Sequence, residues 1–575
     1  MGTAVGGKHT PLLFGSLRGY KTSWLRPDLV AGLTVWAVLV PESLAYATIA
    51  GVPPVVGLYA AVPALVFYAA FGSSRHLVVS PMSATAALSV STVAGFAKAG
   101  TDNFVQLTAA LAVVTGVLGL LAGLARLGFL ASFISGPVFK GFIIGLALTI
   151  IVGQLPALFG VPKGKGNFFQ QLGHLLTHLG ETSIATLTVG VLSLAAILLL
   201  RRWLPLVPGS LVVVLLGIAA VSLFTLDKHG IEIVGPIDSG LPQLGLPSVP
   251  AGMSWLQLVA PATGILLVGY AEGLAAAKTY AAQHGYSIDA NRELLGLGAA
   301  NLGAGFSSGM VVNGSLSKTA VNGGAGARSQ VSGLSVAALT VFTLLFLTGL
   351  FENLPEATLA AVVIAAVVDL VNVPSLVRLY KVWSRRLGRD YGWAARADFL
   401  AALAALLGVL FFDTLTGLFI GIGASMLLLL DRSSRPHIAT LARESTGAWV
   451  DVARHPDLTP NPAVPVLRVE SGLYFADAHD VHETIRAAIG PKTRAVVIDA
   501  ETAPFIDITA TDMLAQAATE LERTHVRLAI AHPIGQIRDV LRSSADESGT
   551  TIGVYPTIDE AVETLAGRGG QAPSQ

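Results

Sequence analysis

Apolar residues run through the chain in long, nearly unbroken stretches from about residue 28 to about residue 430, then give way to short alternating runs. A helix needs about 20 apolar residues to cross a bilayer, and fewer where it is broken. Stretches of that kind fall at 29–47, 54–72, 81–95, 104–124, 129–153, 183–200, 209–225, 256–277, 291–308, 314–326, 332–350, 355–372, 397–412 and 414–430, which predicts about fourteen spans. The third and tenth are too short and too polar to be ordinary spans. After Asp431 the period changes. Val466-Leu467-Arg468-Val469-Glu470 alternates as a strand and Arg494–Asp499 reads as a buried one, while His479–Ile489 and Thr511–Glu522 read as helices. Val526–Ala531, Ile534–Arg542 and Ile558–Leu565 continue the alternation, so the end of the chain predicts a small α/β domain.

This pattern divides the chain into an N-terminal segment 1–27, a membrane region 28–431 with halves 28–226 and 255–431, a charged, proline-containing linker 432–465, the α/β domain 466–568 and a disordered tail 569–575. Composition agrees. Of 575 residues 53% are hydrophobic and 13% charged, where soluble domains run near 25% charged. The zero formal net charge gives no case for a nucleic-acid partner, and the absence of cysteine excludes disulfides, thiolate metal sites and cysteine nucleophiles. Met1–Pro27 lacks the apolar core of a cleavable signal. No metal cluster, nucleophile–base pair or phosphate loop stands out, which disfavours an enzyme and calls for no cofactor.

Charge predicts orientation. With the N-terminus inside, loops after even-numbered spans should be basic. They hold Arg75, Arg126, Arg201, Arg202, Lys278, Arg292, Arg328, Lys381, Arg385, Arg386 and Arg389, whereas loops after odd-numbered spans hold only Lys98, Lys163, Lys165 and Lys228. Two of the latter are acidic, one with Asp227, Glu232 and Asp238, the other with Glu352 and Glu356. Both termini are therefore expected in the cytoplasm.

The two short segments open as Ser80-Pro81-Met82-Ser83-Ala84-Thr85 and Asn313-Gly314-Ser315-Leu316-Ser317-Lys318-Thr319. Each is the third of seven in its half, and such a matched, interrupted pair points to a transporter's binding site. A half-helix beginning at mid-membrane has N–H groups without helical partners and carries partial positive charge at that end. Two such ends together make an anion site. Seven is odd, so the second half runs inverted and its short helix approaches from the other side. The hydroxyls of Ser83, Ser315 and Ser317 would add donors. Tight helix packing by small residues is the competing explanation.

Glu42 lies inside the first span, after Pro41, Glu272 inside the eighth and Lys318 inside the tenth. Such groups are costly and usually face a cavity or a partner. Spans one and eight open the two halves, so each brings a carboxylate toward one centre. A fixed negative charge repels an anion, and protonation removes the repulsion. Glu272, with Glu42, is thus expected to take up a proton along with the anion. The alternatives are a structural ion pair between Glu272 and Lys318, and a Glu42 that only accepts hydrogen bonds.

Val40-Pro41-Glu42-Ser43-Leu44-Ala45-Tyr46-Ala47, Ala50-Gly51-Val52-Pro53-Pro54, Gly57-Leu58-Tyr59, Gly72-Ser73-Ser74-Arg75 and Ser315-Leu316-Ser317-Lys318-Thr319-Ala320-Val321-Asn322 resemble the SulP anion permeases. The resemblance covers nearly the whole chain. It implies a polytopic α-helical membrane protein of about 14 spans in two inverted 7-span repeats, a core of spans one to four and eight to eleven moving against a gate, a cytoplasmic α/β STAS domain and a homodimer. Family members carry sulfate, bicarbonate, chloride or dicarboxylates. Glu42 stands where the family usually has Gln, Lys318 where it has Arg, and Ser80 where it has Gly. The resemblance also places Tyr46, Met82 and Ser83 in the site, which gives a substrate-binding set of Glu42, Tyr46, Met82, Ser83, Gly314, Ser315, Ser317 and Lys318. Sodium-coupled relatives carry a hydroxyl one turn after the span-eight carboxylate; here that residue is Ala276, which favours a proton. In the STAS domain, Asp507-Ile508-Thr509-Ala510 stands where bacterial relatives carry a phosphorylatable residue before a helix. Thr509 is read there as a helix cap and as a possible phosphosite. The expected function is sulfate transport by proton symport, with bicarbonate or C4-dicarboxylate transport as alternatives and a membrane-anchored signalling scaffold as the rival of another class.

Overall fold

The computed structural model describes residues 13–129, 135–164, 166–204, 207–237, 239–250, 253–385, 394–434, 436–548 and 552–567. Residues 1–12 of the N-terminal segment, Lys165, Asp238, Arg386, Arg389 and the tail 569–575 lie outside them. The chain divides into two compact units, 1–425 and 426–575.

Every one of the fourteen apolar segments falls on a helix. In the first half these are α1 (Leu25–Ile49), α2 (Val55–Phe71), α3 (Ser83–Val93), α4 (Asp102–Leu124), α5 (Gly136–Phe159), α7 (Ile184–Trp203) and α8 (Gly209–Phe224). In the second they are α9 (Val259–Gln283), α10 (Ala290–Phe306), α11 (Leu316–Gly324), α12 (Val331–Phe346), α13 (Glu356–Val367), α15 (Ala394–Phe411) and α16 (Thr414–Ser434). Among the described residues, six helical stretches are long and apolar enough to cross a membrane. Two amphipathic helices, α6 (Phe168–Thr177) and α14 (Val373–Arg385), have no counterpart in the apolar pattern. The fifth segment starts later than expected: α5 begins at Gly136, capped by the Ser135 hydroxyl and with Pro137 in its first turn, and ends on left-handed Gly160.

Two three-residue strands precede the short helices: β1 (Val78–Ser80) before α3 and β2 (Asn313–Ser315) before α11. They pair antiparallel, Val78 with Ser315, Val79 with Gly314 and Ser80 with Asn313. The pairing satisfies backbone groups that have no helical partner where water is scarce. Helix contacts repeat when the halves are exchanged. α4 packs on α10 as α12 packs on α2, α1 on α11 as α9 on α3, and α5 on α15 as α13 on α7. This is the signature of two seven-helix units related by a twofold axis. The α4–α10 contact is backbone to backbone, since a Cβ at Gly119 would lie 2.9 Å from the Gly298 Cα.

Two buried carboxylates pin the turns beside the strands. Glu293 of α10 accepts from the Tyr68 hydroxyl at 2.6 Å and the Ser73 and Ser74 amides at 2.9 and 3.0 Å. Asp28 of α1 accepts from the Arg328 and Ser329 amides at 2.6 and 3.1 Å and the Ser329 hydroxyl at 2.6 Å.

The C-terminal unit is a six-stranded sheet in the order β4-β3-β5-β6-β7-β8, from β3 (Ile438–Arg443), β4 (Trp449–Asp451), β5 (Val466–Val469), β6 (Ala495–Asp499), β7 (Arg527–Ala531) and β8 (Gly553–Tyr555). β5 to β8 run parallel, and β3 joins β4 and β5 antiparallel. Helices α17 (Ala478–Ala487), α18 (Ile508–Glu522) and α19 (Gly535–Ser548) share one apolar core, and α20 (Ile558–Ala566) packs in the other. The expected linker 432–465 is corrected here, because it supplies β3 and β4. So is the reading of Thr509 as the cap of α18. The cap is Asp507, whose Oδ1 accepts from the Ala510 amide at 2.8 Å, while Thr509 is exposed in the first turn. Arg468 holds both Asp499 and Glu501, at 2.6 and 3.2 Å, so a guanidinium stands where those carboxylates and His532 would otherwise gather around a cation.

Candidate anion site

The β1–β2 pair brings the starts of α3 and α11 together at the centre of the first unit. α3 leaves β1 through Pro81 and extended Met82 and begins at Ser83 with no side-chain cap, so its first amides have neither a helical nor a side-chain acceptor. α11 begins at Leu316 with Ser315 as cap, the Ser315 hydroxyl accepting from the Lys318 amide at 3.2 Å and lying 3.2 Å from the Ser317 hydroxyl. Ser315 and Gly314 are buried, whereas Leu316 and Ser317 are exposed at the tip. Met82 and Ser83 are nearly buried.

α1 runs past both tips. Its Glu42 lies 3.1 Å from the Lys318 ammonium, which is 1% exposed, and accepts from the Tyr46 hydroxyl at 3.2 Å. Lys318 also donates to the Pro81 carbonyl at 3.0 Å and stands 4.9 Å from the centroid of the Tyr46 ring. The lysine of one half is thereby tied to the first helix and first strand of the other.

α9 approaches from the opposite side through Gly269 and Gly273. A Cβ at Gly269 would sit 3.0 Å from Asn313 Cγ, so only glycine lets the helix lie against β2. Between these glycines Glu272 turns toward the centre, within electrostatic reach of Lys318 and Tyr46. Among the described residues, its buried Oε2 has no hydrogen-bond partner, and neither has Asn313 Nδ2.

The structure therefore brings Glu42, Tyr46, Met82, Ser83, Gly314, Ser315, Ser317, Lys318 and Glu272 to one place, and Thr509 lies in the other unit. The ion pair considered between Lys318 and Glu272 is instead made with Glu42. The sequence reading missed Asp28, Glu293, Asn313 and the Pro81 carbonyl. A charge opening the first apolar run was the available signal for Asp28; a carbonyl leaves none.

Two interlocked seven-helix halves, with paired half-helices at their junction and an α/β domain following them in the chain, define a membrane transporter for a small anion rather than an enzyme. The comparisons agree. The model of the sulfate permease family matches residues 25–386, and the STAS domain model matches residues 455–561. A Mycobacterium tuberculosis protein described as a "Probable sulfate transporter" is 35% identical over 96% of this chain and 97% of its own length. Sulfate transporter 1.3 of Arabidopsis thaliana is 30% identical, covering 96% of this chain and 86% of its own. The inward-facing structure of the murine Solute Carrier 26 family member A9 anion transporter shares the fold with a TM-score of 0.87, at 24% identity over 96% of this chain and 94% of that one. The chain belongs to the sulfate permease family.

Proposed function

We propose that the protein carries sulfate into the cell together with a proton. The observation that carries this reading is the uneven state of the two carboxylates: Glu42 is matched by Lys318, and Glu272 has a buried oxygen with no partner. Two carboxylates against one ammonium leave the centre one negative charge. At an effective dielectric of about 20, an anion about 5 Å from an ionised Glu272 is raised by about 3 kcal/mol per unit of its own charge. For a dianion this approaches the whole binding energy of a micromolar site, about 8 kcal/mol. Protonating Glu272 removes the penalty, so anion and proton bind together and leave together.

In this reading the free amides at the tips of α3 and α11, the Ser83 and Ser317 hydroxyls and the Lys318 ammonium hold the anion. Gly314 and Ser315 shape the strand behind it, and Tyr46 and Met82 close its sides. α1–α4 and α9–α12 move as one body past α5, α7, α8, α13, α15 and α16. The basic loops after the even-numbered spans argue for both termini in the cytoplasm of a cell-membrane protein, and the family supports a homodimer. Sulfate is favoured because relatives that match this chain over nearly its full length are named for it. A phosphoryl group on exposed Thr509 would enter the first turn of α18 beside the Asp507 carboxylate, a like charge that weighs against it.

The test is uptake of labelled sulfate into proteoliposomes, with and without an inward pH gradient and with competing anions, for the natural protein and for Glu272→Gln. The proposal expects gradient-driven uptake that Glu272→Gln abolishes while the variant stays folded. Gradient-driven uptake that survives in the variant would sink the assignment of Glu272, and a preference for bicarbonate or a dicarboxylate would sink sulfate.

A further inference from the structure

The two glutamates at the centre occupy matching places yet differ in company, and the difference traces to one pair of positions. Glu42-Ser43-Leu44-Ala45-Tyr46-Ala47 of α1 is echoed in α9 by Glu272-Gly273-Leu274-Ala275-Ala276-Ala277. The strand register supplies a second equivalence. Val79 and Gly314 face each other at the middle of the pair, so exchanging the halves carries Ser80 onto Ser315 and, three residues on, Ser83 onto Lys318. Contacts follow the same exchange, α1 meeting α11 as α9 meets α3. Lys318 of α11 has Glu42 of α1 as its partner. In the mirrored packing of α3 on α9, residue 83 takes the place of Lys318 and Glu272 that of Glu42, and residue 83 is a serine.

Among the described residues, the neighbours of α9 leave no other cation beside Glu272. α11 brings Lys318, already engaged by Glu42 and the Pro81 carbonyl. α10 brings Arg292, whose guanidinium lies against Gly15, and Glu293, taken up by Tyr68, Ser73 and Ser74. α4 brings Asp102 in its first turn, and α3, β2 and the turn Trp255–Leu258 bring no charge.

We propose that the residue at position 83 decides which glutamate carries the coupling proton. Serine there leaves Glu272 without a counterion and makes it the carrier, while Lys318 pairs with Glu42 and holds it out of the cycle. The proposal rests on the reading of Glu272 as the proton site. It adds that Ser83→Lys supplies the missing cation, with the Leu316 carbonyl in the place that the Pro81 carbonyl holds for Lys318, and so converts a symporter into a carrier indifferent to pH.

The experiment compares the natural protein, Glu272→Gln, Ser83→Lys and the transposed variant Ser83→Lys with Lys318→Ser in proteoliposomes, after size-exclusion profiles establish folding. One pH unit is worth about a factor of ten for one proton per anion. A one-unit inward gradient should thus raise natural sulfate accumulation up to about tenfold and that of Ser83→Lys not at all, each taken relative to its own accumulation at equal pH, because the lost Ser83 hydroxyl weakens sulfate binding in the variant. In the transposed variant the pH drive returns and is abolished by adding Glu42→Gln rather than Glu272→Gln. Full pH drive in Ser83→Lys, beside its loss in Glu272→Gln, overturns the role of residue 83 alone; full drive in Glu272→Gln overturns the underlying reading. Should neither lysine variant fold, Lys318→Ser decides: it frees a second carboxylate and is expected to double the protons moved per sulfate, and an unchanged ratio refutes the proposal.

Discussion

The ammonium of Lys318 sits 3.1 Å from the carboxylate of Glu42, a contact between the second half of the chain and the first, with both groups almost wholly out of solvent. Removing one member of such a pair leaves the other buried and unmatched, at about 3–5 kcal/mol. Lys318→Met and Glu42→Gln should therefore each lower the unfolding temperature in detergent, and the double variant should lose less than the sum of the two. Strict additivity in that cycle would contradict the pairing.

One proton accompanying a sulfate dianion leaves one net negative charge to move inward. An inside-negative potential of about 100 mV opposes that by about 2.3 kcal/mol. Uptake should slow when potassium and valinomycin impose such a potential at fixed pH gradient. Acceleration would mean that more than two protons travel with each sulfate.

Asp28 accepts three hydrogen bonds from the turn that follows α11. Asp28→Asn keeps the size, removes the charge and turns one acceptor into a donor facing donors. A loss of about 1–3 kcal/mol is expected, the cost of leaving a buried polar group unmatched. Thermal unfolding of the purified variant checks it, with unchanged stability as the contrary result.

Gly269 lies where any side chain meets Asn313. Gly269→Val should push β2 away from α9 and raise the KM for sulfate several-fold, and Gly269→Ala should do so less. A normal KM in the valine variant would show that the strand tolerates displacement.

In the C-terminal unit the cap of α18 is Asp507. Asp507→Ala should destabilise the first turn by about 0.5–2 kcal/mol, seen as faster amide exchange at residues 509–511 of the full-length protein. Thr509→Ala should leave that exchange unchanged.

What the sequence discloses here divides by distance along the chain. Spans, their order and the two interrupted helices are local: each rests on a run of apolar residues or on a break in one, and each was legible. The identity of a charge's partner is not local. Nothing near residue 318 says whether Glu42 or Glu272 will meet it, since both carboxylates follow the same Glu-x-Leu-Ala pattern in matching helices. α6 and α14 escaped because a polar face breaks up the apolar count. β3 and β4 escaped because short strands among charged residues lack the length that makes alternation visible. A helix read from Thr511 puts Thr509 near its cap position, whereas the helix begins at Ile508 and its cap is Asp507.

The antiparallel pairing of Val78–Ser80 with Asn313–Ser315 also bears on how the protein is made. When the first seven helices have left the ribosome, the strand that ends at Ser80 has no mate, and bare peptide groups in hydrocarbon cost several kcal/mol each. That half must then wait, shielded by water or by the insertion machinery, until the chain from the end of α8 at Phe224 to Asn313 has been synthesised and the second strand arrives. Neither half is a finished membrane protein by itself, and truncations that stop before residue 313 should be cleared by quality control rather than accumulate in the bilayer.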